Sequence, residues 1–268
     1  MMSNWSSGDI VSNGIRIRYH RTGGDKPTLL IAHGFSDNGL FWSRFARAME
    51  QDYDVVLYDR RGHGFSDAPE SGYTYQDHAV DMAGLITALG LDHPHILGHS
   101  AGAIVAAILA ATNPELLARL VLEEPAWGTG WGVWEAERHN ASKWFREMFS
   151  MDRRELVAMC REMNPNWPEE EVELWADTKV QASPNVLQTF EQAEPIWRDI
   201  VRRITCPILL IAGDKDMGSI ITPEDSEAID SVWREGKTET IDGAGHVVHN
   251  DRFETFLSVV KTFLSEMN

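Results

Sequence analysis

Pro94-His95-Ile96-Leu97-Gly98-His99-Ser100-Ala101-Gly102, followed by the apolar run from Ala103 to Ala111, is the stretch on which the fold turns. It reads as a short buried strand, a sharp turn holding one serine, and a helix. The turn has the form Gly-x-Ser-x-Gly. Glycines on either side remove side-chain bulk, so that a strained serine backbone can be held while strand and helix pack closely. A serine presented in this way is suited to act as a nucleophile, and the strand before it and helix after it supply the context the short pattern needs.

Outward from this turn, strands and helices alternate. On the N-terminal side, Asp9-Ile10-Val11 and Ile15 to His20 read as a β-hairpin closed by Asn13-Gly14, residues that tolerate positive φ. Thr28-Leu29-Leu30-Ile31-Ala32 is a continuous apolar run suited to a strand buried on both faces, and it ends at His33-Gly34-Phe35. A helix is expected over about 39–50, a strand over Tyr53–Tyr58, and a helix over Thr74–Leu89. After the serine turn and its helix comes the strand Leu120-Val121-Leu122, ending at Glu123-Glu124-Pro125. Alternation resumes with Pro207 to Ala212, a helix from about Pro223 to Val232, a strand over Thr238–Ile241 and a last helix from about Arg252 to Phe263.

Between these halves the pattern breaks. Seven of the ten tryptophans fall in 126–201, among charged helical segments. The expected organisation is therefore an α/β core from 1–125 and 202–268, a mostly parallel sheet with helices on both faces, carrying a helical, Trp-rich cap over 126–201.

Composition narrows the function. A formal net charge of −17 disfavours nucleic acid, anionic membranes and strongly anionic substrates. Cys160 and Cys206 stand far apart without metal-ligand spacing and read as reduced thiols. The first residues carry no basic stretch followed by an apolar run, and no long uncharged apolar segment follows, so a soluble cytoplasmic protein is expected. No cofactor or metal is expected. The lysine of a phosphate-binding loop is missing, and so are paired His and Cys spacings for zinc.

Ser100 needs a base, an orienting acid and an oxyanion site to do acyl chemistry. His246, in Gly243-Ala244-Gly245-His246, is the candidate base. Loops at the carboxyl ends of parallel strands gather on one edge, so this distant loop can reach Ser100. Together His33-Gly34-Phe35, Asp59 to Gly64, Gly98 to Gly102, Gly213-Asp214-Lys215-Asp216 and Gly243 to His246 resemble the α/β-hydrolase fold family over essentially the full chain. The resemblance implies that Ser100 is the nucleophile, that His246 is its base, and that the backbone amides of Phe35 and Ala101 form the oxyanion hole. It places the acid at Asp216, after the penultimate strand, with Asp214 as the weaker neighbour. Glu123, ending the strand after the serine helix, is the alternative acid, and Glu124 is the other candidate of that pair. Met217 to Glu224 departs from the proline-containing pattern the family more often shows there. His63, His99 and His249 read as structural imidazoles.

Trp127, Trp131 and Trp134 are the candidate substrate-binding residues, because aromatic walls favour an uncharged acyl or aryl group and exclude water. The expected function is a serine hydrolase acting on an apolar carboxylic ester or lactone through an acyl-enzyme, as a monomer or homodimer. Alternatives are carbon–carbon bond hydrolysis of a β-diketone-like substrate, a serine perhydrolase, or a small-ligand receptor with weak hydrolysis. Haloalkane dehalogenases and epoxide hydrolases of this fold use an aspartate where this chain has Ser100.

Overall fold

The computed structural model describes residues 5–127, 134–191 and 197–266, the side chains of 134–138 excepted. One sheet contains β1 (Ser6–Ser12), β2 (Ile15–Arg21), β3 (Thr28–Ala32), β4 (Asp54–Tyr58), β5 (His95–His99), β6 (Leu120–Glu123), β7 (Ile208–Ala212) and β8 (Gly236–Thr240). Their order across the sheet is β1-β2-β4-β3-β5-β6-β7-β8. The β1–β2 hairpin and the β2–β4 pair are antiparallel, and from β4 to β8 every pair is parallel. The hairpin turn closes in two residues because Asn13 and Gly14 take φ of 49° and 78°, the twist that matches the flanking strands.

Helices cover both faces: α1 (Ser43–Met49), α2 (Tyr75–Ala88) and α3 (Ala101–Thr112) in the first half, and α8 (Pro223–Asp230), α9 (Val248–Asp251) and α10 (Phe253–Ser265) in the last. Between β6 and β7 run α4 (Trp134–Met148), α5 (Arg153–Met163), α6 (Glu169–Gln181), a 3-10 segment (Pro184–Glu191) and α7 (Trp197–Val201).

Strand side chains alternate between two cores. Leu30, Ala32, Ile96, Leu122 and Leu210 meet α2 and α3, while Leu29, Ile31, Leu97, Val121 and Leu209 meet α1 and α10 through Phe45, Met49, Phe256 and Val260. Residues 101–110 of α3 are buried on every side, and its alanines let it lie close under the sheet.

Two expectations need adjustment. The helix over 39–50 resolves into a 3-10 turn, Gly39–Trp42, capped by the Asn38 side chain, and then α1. The last strand covers Gly236–Thr240 rather than Thr238–Ile241. As an edge strand pairing only with β7, it carries wet side chains and shows no apolar pattern to read, while buried Ile241 lies beyond its end.

The segment between β6 and β7 adds no strand among the described residues. It is bonded to α9 through Trp167 Nε1 to Asp251 (2.7 Å), and to loops of the core through Asn38 Nδ2 to Gln181 (2.8 Å), Asn185 Nδ2 to the Pro69 carbonyl (3.0 Å) and Thr189 Oγ1 to the Tyr73 carbonyl (3.0 Å). No helix among the described residues is long and apolar enough to cross a membrane.

The interior also holds charge and imidazole. Arg61 binds Asp81 through two bonds of 2.5 Å, both side chains being almost wholly buried. Burial holds His33, His63 and His78 well below the ordinary imidazole range and pushes His99 down to about 3. An unfolded chain binds protons at these four positions below pH 6.5 and the folded chain does not. The stability they contribute is thus complete above pH 6.5 and is lost as pH falls towards the folded values. Each should cost about 1 kcal/mol per pH unit below 6.5. Urea unfolding at pH 7 and pH 5 should show a marked loss at pH 5, and His78→Gln should flatten that dependence.

Candidate active site

β5 delivers Ser100 to the edge of the sheet and α3 begins immediately after it, so the serine sits at φ 53° and ψ −119°. A Cβ on Gly98 would lie 2.6 Å from the Ala103 Cα, and one on Gly102 would meet the carbonyl oxygens of Ala32 and His33. Both glycines are therefore required by close approach.

The loop after β8 brings His246 to the serine. Its Nε2 lies 3.0 Å from Ser100 Oγ, and its Nδ1 lies 3.2 Å from Glu124 Oε2. With Nδ1–H donating to the carboxylate, Nε2 presents a lone pair to the hydroxyl, which can pass its proton there. The His246 carbonyl accepts from His99 Nε2–H at 3.0 Å, tying the base loop to the residue before the serine. Asp251 anchors the same loop by accepting from Gly245 N–H at 2.7 Å.

The carboxylate on His246 is neither of the two acids placed first by the sequence. Asp216 is exposed in a 3-10 turn (Lys215–Met217), where its amide donates to the capping side chain of Asp214. Among the described residues the His246 ring bonds Glu124 and Ser100, not Asp216. Glu123 is fully buried but accepts from the backbone amide of His249, and His249 Nδ1 lies 2.9 Å from both of its oxygens. Burial pushes Glu123 up to about 7 and His249 down to about 3, favouring the neutral form of each. The His249 ring also stacks on Trp42 with centroids 3.9 Å apart.

Glu124 takes its place because the chain turns sharply as β6 ends: its φ is 45° and its amide bonds the Ile211 carbonyl of β7. The fully buried carboxylate then accepts four donors. Gly213 N–H (2.8 Å) and Ser219 Oγ–H (2.5 Å) reach Oε1, while Ile220 N–H (2.7 Å) and His246 Nδ1–H reach Oε2. The loop after β7, expected to supply the acid, instead supplies three of the donors to the Glu124 carboxylate. Its unusual sequence from Met217 onward was the signal that it serves a different purpose.

Phe35 and Ala101 are the residues expected to carry the oxyanion amides. Ala101 opens α3, where the first amides of a helix have no partner within it, and Phe35 lies in the loop after β3. Among the described residues, neither backbone amide donates to a protein acceptor. The Phe35 ring packs on Phe145 of α4 and Phe190 of the 3-10 segment, with centroids 4.5 and 4.8 Å away. These two phenylalanines, which sequence reading did not single out, are the aromatic rings that meet Phe35 from the segment between β6 and β7. Trp127 packs beside Trp197, 6.2 Å between centroids, in the core on the α3 face. Trp131 and the side chain of Trp134 lie outside the described residues.

Lys179 of α6 reaches across to the same loop. Its ammonium, 1 % exposed, pairs with Asp37 at 2.5 Å and lies 4.7 Å above the Trp175 ring.

Residues 29–259 match the model of the Alpha/beta hydrolase family. The chain is 28 % identical to N-formylmaleamate deformylase of Pseudomonas putida over 97 % of this chain and 96 % of that protein. It is 25 % identical to 2-(acetamidomethylene)succinate hydrolase of Mesorhizobium japonicum, over 91 % and 90 %. Among solved structures, the esterase RhEst1 from Rhodococcus sp. superposes with a TM-score of 0.82 at 26 % identity, covering 98 % of this chain and all of that one. A mostly parallel eight-stranded sheet, a serine at a strained strand-to-helix turn and a family match spanning most of the sequence place this chain in the alpha/beta hydrolase family.

Proposed function

We propose that the chain is a serine hydrolase that opens an apolar carboxylic ester or lactone through an acyl-enzyme on Ser100. One observation carries this reading: His246 stands between the Ser100 hydroxyl at 3.0 Å and the buried Glu124 carboxylate at 3.2 Å. In the first step Ser100 Oγ attacks the carbonyl carbon while His246 Nε2 takes its proton. The carbonyl oxygen becomes an oxyanion that receives the Phe35 and Ala101 amides, each worth about 3 kcal/mol if well aimed. Collapse breaks the bond to the leaving oxygen, to which His246 returns the proton. A water then gives a proton to His246 and its oxygen attacks the acyl carbon, releasing the acid and restoring Ser100–H. Glu124 keeps its hydrogen bond from His246 Nδ1–H throughout and stabilises the imidazolium.

The half-buried rings of Phe35, Phe145 and Phe190 support an uncharged, apolar acyl or aryl group as substrate. The segment 126–201 acts in this reading as a cap over the serine. A second reading, cleavage of an N-acyl bond, is favoured by the near full-length similarity to N-formylmaleamate deformylase. A panel of p-nitrophenyl esters, lactones and N-formyl amides separates the two by the ratio of their kcat/KM values.

On a turned-over aryl ester, wild-type protein should release a burst of about one equivalent of phenol if deacylation is slower than acylation, and Ser100→Ala should show neither burst nor turnover. Turnover retained by Ser100→Ala would sink the acyl-enzyme. Glu124→Gln should lower kcat by roughly a thousand- to ten-thousand-fold because the histidine tautomer is no longer fixed. Asp216→Asn, altering an exposed turn, should stay within about twofold of wild type. The reverse ranking of these two variants would return the acid to Asp216.

A further inference from the structure

We infer that Arg60 is a positioning residue for the oxyanion: its buried guanidinium, by donating to the Gly34 carbonyl, fixes and polarises the peptide group whose other end is the Phe35 N–H. The inference rests on the Ser100 reading above and extends it to a residue outside the triad.

The geometry is specific. Arg60 Nη2–H donates to the Gly34 carbonyl oxygen at 2.8 Å. The same oxygen lies 2.8 Å from His33 Nδ1. Arg60 N–H donates to His33 Nε2 at 3.0 Å, which makes Nε2 the acceptor and leaves the proton on Nδ1, so His33 also donates to Gly34. With the Asp37 N–H, which donates to the same oxygen at 3.4 Å, three donors converge on one carbonyl, and only Arg60 among them is cationic. That carbonyl and the Phe35 N–H belong to a single trans peptide unit and point in opposite directions. Anchoring the oxygen aims the N–H away from the anchor. Drawing electron density towards the oxygen makes the N–H a stronger donor, as in any chain of polarised hydrogen bonds.

Structural need does not account for this cation. Arg60 is 2 % exposed, its Nε has no partner among the described residues, and the carboxylate that acts on it, Asp37, is already paired with Lys179. A buried guanidinium without its own carboxylate costs stability that an apolar side chain of similar volume would not. Neighbouring Arg61, by contrast, is fully used in binding Asp81 and the Gly72 carbonyl. Apart from the Asp37 N–H on the Gly34 carbonyl, which is neutral and longer at 3.4 Å, the loop contacts hold the backbone beyond Phe35: Ser36 N–H donates to His63 Nε2 at 3.2 Å, and Lys179 binds Asp37. Arg60 is the charged group directed at the peptide that bears the donor.

The test compares wild type, Arg60→Met, Arg60→Lys and Arg60→Gln on p-nitrophenyl butyrate and on the matched trifluoromethyl ketone, which forms a tetrahedral adduct with an active serine. Arg60→Met should lower kcat/KM by about 10- to 30-fold, less than loss of the donor itself, and should weaken ketone inhibition by the same factor. KM should stay within about twofold, since a charge acting on the oxyanion is felt in the transition state rather than the ground state. Arg60→Lys should recover part of both losses. Unchanged kcat/KM, or lost kcat/KM with unchanged ketone affinity, would overturn the inference. If Arg60→Met does not fold, the Lys and Gln variants carry the same comparison, one keeping the charge and the other only a donor. Wild-type turnover indifferent to the ketone would overturn the Ser100 reading and this inference together, whereas normal ketone inhibition retained by the Arg60 variants would overturn this inference alone.

Discussion

A carboxylate with no access to water must have its acceptors filled by the protein, and at Glu124 this requirement organises the edge of the sheet. Its four donors come from the loops after β7 and β8, and its own backbone is fastened to β7 through the Ile211 carbonyl. Because His246 is one of the four, satisfying the glutamate also sets the ring plane that faces Ser100. The serine is fixed from the other side, its amide bonded to the Glu123 carbonyl at 2.9 Å. Two consecutive residues at the end of β6 thus hold both ends of the contact between serine and histidine, one by its main chain and one by its side chain.

The fold was legible in the sequence because its strands are continuous apolar runs and its turns carry glycine where backbone meets backbone. Gly98 and Gly102 could be read as sites of close approach, and the structure gives the atoms they avoid. Ser100 and His246 were legible for the same reason: each sits in a short loop following a strand. The acid was not. Glu123, Glu124, Asp214 and Asp216 are all plausible by type and position, and what separates them is a main-chain twist at Glu124 and a capping turn at Asp214, neither of which leaves a periodic trace. The aromatic segment was legible as helical but not in detail. Tryptophan count drew attention to Trp127, which is packed in the core, while Phe145 and Phe190, less conspicuous in composition, are the rings that meet Phe35.

Around the serine, polar groups are packed in layers. Glu123, His249, Trp42 and His99 form one group beneath the base loop, and His99 connects it to the His246 carbonyl. His33, Arg60, His63 and Lys179 form another beneath the loop after β3. Such groups rigidify a site when every member is satisfied and are costly when one is lost. Among the described residues, His99 Nδ1, His249 Nε2 and Arg60 Nε have no hydrogen-bond partner, so satisfaction there is incomplete.

The choice of glutamate over aspartate at position 124 also has a spatial meaning. β6 and β7 run side by side, Glu123 opposite Ile211, and neighbouring strands are separated by about 4.8 Å. A side chain that starts one strand away from the loop it serves needs extra reach, and the additional methylene of glutamate provides it. The location of a negative charge beside His246 is thus a property of a point in space which either strand end can supply. A chain of this architecture could transfer that duty from one strand to its neighbour by exchanging side-chain length for starting position, with the sheet itself left untouched.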